Sequence, residues 1–160
     1  MFIRFITTGG TIDKIYFDAL SDFEVGESQV EHILREGLVR FDYEVVSLFR
    51  KDSLELTDED RQVICDYVWS SDDERFVITH GTDTMVDTAA ALGELEDKVV
   101  VMTGALSPAR FRSTDAVFNV GMAVAAVQIA APGVYIAMSG QVFRASEVRK
   151  NREANRFEAL

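Results

Sequence analysis

Five short apolar runs, each separated from the next by an amphipathic stretch, constrain the fold of this chain more than any other feature. They cover Phe2 to Thr7, Tyr43 to Phe49, Arg75 to Thr79, Lys98 to Met102 and Gly133 to Met138. They are rich in Val, Ile and Phe, and several are continuously apolar rather than alternating. Strands covered on both faces have that pattern. Between them, Ser28 to Leu38 brings Val30, Ile33, Leu34 and Leu38 near one helical face. Its start, Ser28-Gln29-Val30-Glu31, reads as a capping box. A second helix opens at Thr57-Asp58-Glu59-Asp60, where a threonine cap precedes acids that suit the helix dipole. Helices from about Thr84 to Leu92 and Asp115 to Ala130 follow. The last is almost wholly apolar after Asn119, which predicts burial on more than one side.

This alternation predicts an α/β fold, a three-layer αβα sandwich around a mostly parallel, flavodoxin-like sheet. The charged segment Arg144 to Leu160 is expected as a terminal helix or a partly ordered tail. At 160 residues, with no linker or repeat, the expectation is one domain over 1–160. A domain of that size buries roughly 70% of its unfolded surface.

The net charge of −11 argues against partners such as nucleic acid or anionic membranes. It leaves room for a small anion at a local positive site. The single cysteine, Cys65, cannot form an internal disulfide and reads as a buried packing residue. No basic region followed by a long apolar stretch opens the chain, and Met122 to Pro132 is too short and broken to span a bilayer. The simplest expectation is a cytoplasmic protein.

Two threonine-bearing loops follow two of the predicted strands. Thr7-Thr8-Gly9-Gly10-Thr11-Ile12 follows the first, and Thr79-His80-Gly81-Thr82-Asp83-Thr84 follows the third. In open α/β sheets, ligands bind at the carboxyl ends of strands, so the loops point to one shared site. Read singly, each loop has a plainer use. Gly9-Gly10 permits a tight turn in which Thr11 caps its own backbone. Asp83 can cap the helix that starts near Thr84. His80 reads as an imidazole bonded within its own loop. Neither nucleotide-binding glycine pattern is present.

Taken in order, these residues resemble the bacterial-type L-asparaginase family. The resemblance rests on Thr8-Gly9-Gly10-Thr11-Ile12 and His80-Gly81-Thr82-Asp83-Thr84-Met85. It continues through Val100-Val101-Met102-Thr103-Gly104-Ala105, then Ser113, Asp115, Phe118 and Asn119, and then Glu147-Val148-Arg149-Lys150. The chain resembles a short form corresponding to the N-terminal catalytic domain, with no C-terminal domain.

The resemblance implies hydrolysis of L-asparagine to L-aspartate and ammonia, with no metal or organic cofactor. It makes Thr11 the primary nucleophile and Tyr16 the loop tyrosine beside it. It makes Thr82, Asp83 and Lys150 a second catalytic constellation. Substrate binding is implied for Gly10, Asp52, Ser53, Gly81, Thr82 and Asp83, with Ser53 on the α-carboxylate and Asp83 on the α-ammonium. A lysine with an ordinary pKa of roughly 10.4 needs desolvation or cationic neighbours to act as a base, and Arg149 is one candidate neighbour. The family's subunit contacts imply a homodimer or larger homo-oligomer.

Several positions depart from the family pattern. Asp13 stands where a small residue is usual, and a carboxylate there is expected to repel an acidic product. Ser107 replaces an arginine, Ala116-Val117 replaces Gly-Pro, and Arg149 replaces a threonine. Two other readings stay open: a non-catalytic amino-acid-binding or interaction domain of the same fold, and a related amidase acting on glutamine.

Overall fold

The computed structural model describes residues 1–17 and 22–160. In chain order its main elements begin with β1 (Phe2–Gly9), β2 (Lys14–Phe17), β3 (Asp22–Val25), α1 (Val30–Glu36), β4 (Asp42–Lys51), α2 (Asp58–Ser70) and β5 (Arg75–Thr79). They continue with α3 (Met85–Leu92), β6 (Val99–Thr103), α4 (Ala116–Ile129), β7 (Gly133–Met138), β8 (Gln141–Arg144), β9 (Val148–Asn151) and β10 (Arg156–Ala159). Short 3-10 turns lie at Thr11–Asp13, Ser53–Glu55 and Ala145–Glu147.

The central sheet has the order β4-β1-β5-β6-β7-β8. All pairings are parallel except that of β7 with the edge strand β8. Its parallel strands, numbered by their own succession, run 2-1-3-4-5, the flavodoxin-like arrangement. Period-two alternation sends side chains to both faces. Ile6, Phe76, Ile78, Val100 and Met102 meet α2 and α3 through Ile64, Val68, Met85 and Leu92. Ile3, Phe5, Val77, Val99 and Val101 meet α1 and α4 through Val30, Leu34, Ala123 and Val127. Strands buried on both faces account for the continuous apolar runs. Cys65 is buried in the α2 layer.

Thr57 caps α2 as expected, with Asp60 completing the box. The start of α1 differs. Its N-cap is Gln29 without a side-chain cap bond, and the box expected from Ser28 and Glu31 does not form. Instead Asp13 Oδ1 accepts from Gln29 N at 2.9 Å. The fourth helix also differs, because α4 buries one face only. Val117, Phe118 and Ile129 are exposed, since the helix lies on one side of the sheet and nothing among the described residues covers its back. The C-terminal segment is neither helix nor tail. It forms the antiparallel hairpin β9–β10, held by Val148 and Phe157 in the α2–α3 layer.

Candidate active site at the reversal of strand order

Strand order reverses between β1 and β5, and ligand crevices of open α/β sheets lie at such reversals. Thr11 follows β1 and Thr82 follows β5. The two loops touch through backbone. Gly9 and Gly10 have φ of 98° and 89°, which turn the chain sharply as it leaves the sheet. A Cβ on Gly10 would lie 2.5 Å from Gly81 Cα. A Cβ on Gly81 would lie 2.5 Å from Ser53 Oγ. Two bare glycines therefore let three segments close on one point. Thr8 Oγ1 donates to Thr79 O at 2.9 Å and Thr84 Oγ1 to Ser53 O at 2.8 Å, which fixes the loops further.

Lys150 arrives on β9, 68 positions beyond Thr82. Its Nζ donates to Thr82 Oγ1 at 2.7 Å and to Asp83 Oδ1 at 2.6 Å. The lysine side chain is 8% exposed and the aspartate side chain 40%. Thr82 is buried. Asp83 thus serves Lys150 rather than α3, whose N-cap Thr84 has no side-chain cap bond. Arg149 turns away from Lys150 and pairs with Glu158 at 3.6 Å, consistent with alternation along β9.

Thr11 is half-buried in its 3-10 turn, and among the described residues its hydroxyl has no side-chain partner. Tyr16 sits on β2 and is 53% exposed. Its ring packs on Phe23 with centroids 5.5 Å apart, and Phe23 packs on Phe111 at 6.0 Å. The loop tyrosine therefore belongs to a hairpin, β2–β3, with an aromatic prop.

Ser53 is buried, and Asp52 N-caps the turn that carries it by accepting from Leu54 N at 3.1 Å. Lys14 Nζ reaches Asp52 Oδ2 at 2.8 Å, joining the hairpin to this turn. Partial burial pushes the Asp52 carboxyl up, but Lys14 and the Leu54 amide outweigh it and hold it below its ordinary value. The Asp52 carboxylate is thus committed to its turn and to Lys14.

His80 lies within the protein, its Nδ1 2.7 Å from Gly81 O and its Nε2 2.9 Å from Thr88 Oγ1. Burial lowers its pKa to about 4, so the ring is neutral near pH 7. It props the Thr82 loop, as the plainer reading of the sequence had it. Asp13 also differs from expectation. It is buried, and its carboxylate is bonded to Gln29 N rather than held out as a repelling charge.

One contributor, Lys14, was not singled out in the sequence. Asn119 and Asp115 were named there only as part of the resemblance, and both hold the loop after β6. Asn119 Nδ2 donates to Gly104 O and to Asp115 Oδ2, while its Oδ1 accepts from Ser139 N. Asp115 also accepts from the backbone of Leu106 and Ser107. Among the described residues no group of three or more His, Cys, Asp and Glu side chains is arranged to hold a metal ion. Nor is any helix among them long and apolar enough to cross a membrane.

The family described as Asparaginase, N-terminal, matches residues 2–160. The L-asparaginase of Thermococcus kodakarensis is 31% identical over 153 residues, covering 89% of this chain and 45% of that one. The probable periplasmic L-asparaginase of Haemophilus influenzae is 41% identical over 80 residues, 47% of this chain and 23% of that one. The solved structure of the thermostable L-asparaginase from T. kodakarensis superposes with a TM-score of 0.85 at 25% identity, covering all of this chain and 51% of the other. The chain spans about half the length of these relatives, or less. With the threonine loops set at the reversal of strand order and the family match running through residue 160, this chain belongs to the asparaginase family.

Proposed function

We propose that this protein hydrolyses L-asparagine to L-aspartate and ammonia. The observation that carries the reading is the reach of Lys150 Nζ to Thr82 Oγ1 and Asp83 Oδ1, beside the loop that presents Thr11. A threonine hydroxyl needs a base and a positioned carbonyl to act as a nucleophile. Thr11 Oγ1 attacks the side-chain amide carbon. The hydroxyl proton passes by way of Tyr16 to the departing nitrogen, the C–N bond breaks, and ammonia leaves. An aspartyl ester on Thr11 remains. Water then attacks that ester, and its proton is relayed to Thr11 Oγ1 through the Thr82 hydroxyl, which the Lys150 ammonium holds in place. The ester C–O bond breaks, Thr11 recovers its proton, and aspartate is released.

The same contacts support a placement for the substrate. Ser53, with the backbone of Gly10, Gly81 and Thr82, takes the α-carboxylate. Asp83 gives Oδ1 to Lys150, which leaves Oδ2 for the α-ammonium. Asp52 acts on the substrate through Ser53. The half-buried Thr11 and exposed Tyr16 call for cover on the solvent side, so the reading includes a homodimer or larger assembly. It also includes a cytoplasmic setting.

Ammonia release from L-asparagine, L-glutamine and short peptide amides tests the proposal. Turnover is expected on asparagine and lost in Thr11→Ala. Calorimetric binding of asparagine with no ammonia released would instead make this a binding domain. Preference for glutamine would make it a different amidase.

A further inference from the structure

We infer that Asp13 is a positioning residue: it clamps together the turn carrying Thr11, the base of the Tyr16 hairpin and the start of α1. The inference rests on the reading of Thr11 and Tyr16 as catalytic groups. Three bonds from this one residue reach three segments. Asp13 N donates to Gly10 O at 3.1 Å, within the Thr11 turn. Asp13 O accepts from Gly26 N at 2.9 Å, where the chain leaves β3. Asp13 Oδ1 accepts from Gln29 N at 2.9 Å, at the start of α1.

The placement matters because Asp13 is the last residue before the hairpin, and Gly26 is the first after it. Lys14 pairs with Val25 directly above this contact. Whatever fixes Asp13 therefore fixes both ends of β2–β3 relative to Thr11, two residues away. Backbone bonds alone would join the turn to Gly26. Only the carboxylate extends the clamp to α1, which is packed into the sheet through Val30 and Leu34. A helix start can be capped locally by Ser, Thr, Asp or Asn at its own N-cap. Here Ser28 Oγ accepts locally from Val30 N at 3.3 Å, while the amide of the N-cap residue Gln29 is taken by Asp13 from 16 positions away.

The choice of residue supports a functional origin. Asp13 is 1% exposed, and among the described residues it has no salt-bridge partner. Burying a carboxylate without a paired cation is unfavourable, and burial pushes this carboxyl up to about 6. Local rules are broken in this way most often where function demands it. A charge-assisted bond to a backbone amide is shorter and stronger than a neutral one, which suits a clamp.

Amide hydrogen exchange and steady-state kinetics on Asp13→Ala and Asp13→Asn test the inference. Asp13→Ala removes the acceptor, and Asp13→Asn keeps an oxygen in its place. In Asp13→Ala, amides of β2 and β3 should exchange about tenfold faster while those of β5 and β6 are unchanged. Its kcat for ammonia release should fall about tenfold with KM little altered. Asp13→Asn should recover most of both. Unchanged hairpin exchange in Asp13→Ala overturns the clamp, and so does equal loss in both variants. Absence of ammonia release from the unmodified protein overturns the functional reading instead, and the exchange arm still decides the clamp.

Discussion

Lys150 Nζ lies 2.6 Å from Asp83 Oδ1 although 67 positions separate the two residues. The contact requires β9 to fold back against the loop after β5. It does so because Val148 and Phe157 are buried in the same layer as Met85 and Leu92. The apolar anchor and the cation thus share one face of a short hairpin, because Val148 stands two residues before Lys150 and Phe157 pairs with it across the strands. Substituting Lys150→Met keeps the aliphatic stem and removes the ammonium. If proton transfer at Thr82 depends on this ammonium, as proposed, its loss lowers turnover by about 10²–10⁴-fold. Ammonia release should fall by at least about a hundredfold while the far-ultraviolet circular dichroism stays unchanged. Retained activity would remove Lys150 from the mechanism.

Tyr16 offers a cleaner separation of chemistry from packing. Its ring rests on Phe23, and Tyr16→Phe preserves that contact. Because the residue is 53% exposed, its hydroxyl adds little to stability. The melting midpoint should move by less than the equivalent of about 0.5 kcal/mol. The kcat should nevertheless fall by roughly tenfold or more if the hydroxyl relays the Thr11 proton. Parallel assays of melting and ammonia release distinguish the two effects.

Much of this arrangement could be read from residue types, and the reason is burial. Arg75–Thr79 and Gly133–Met138 occupy the bounds expected for them because both faces of those strands are covered. The loops that carry Thr11, Thr82 and Asp83 were legible because they follow such strands. The hairpins β2–β3 and β9–β10 were not. Residues such as Lys14, Asp22, Arg149 and Glu158 give them the composition of a polar loop, and each is only four residues per strand. What holds them is tertiary: Lys14 on Asp52, Asp13 on Gly26, Phe157 in the core. The lysine could thus be matched by motif, but the strand that carries it could not. The exposed back of α4 was misjudged for the converse reason, since apolar composition alone does not say which layer is absent.

Gly10→Ala probes the meeting of the two threonine loops. The residue has φ of 89°, where an L side chain is strained. Its added Cβ would also press on the Gly81 backbone, which cannot rotate away. Strain and overpacking together predict destabilisation of about 2–4 kcal/mol in urea unfolding. Activity measured on the remaining folded protein should also drop, because any relief must separate Thr11 from Thr82. Wild-type stability in this variant would show that the loops do not pack as closely as described.

Two buried titratable groups oppose one another across mild acid. Burial lowers His80 from its ordinary 6.5 to about 4, with lesser influences from the Gly81 carbonyl, Arg61 and Asp87. Between those values the unfolded chain binds a proton that the folded one does not, so stability falls as pH falls from 6.5 to 4. Burial raises Asp13 from 3.8 to about 6, partly offset by the Gln29 amide, Ser28, Arg110 and Arg50. Here the folded chain binds the extra proton, so stability rises as pH falls from 6 to 3.8. Each effect amounts to about 2 kcal/mol between pH 7 and pH 4.5, and in the unmodified protein they nearly cancel. Asp13→Asn should expose the histidine and lose about 2 kcal/mol over that interval. His80→Gln should expose the aspartate and gain a similar amount. Urea midpoints of the three proteins at pH 7 and 4.5 measure both slopes, and a common slope in all three would show that neither group is buried as described.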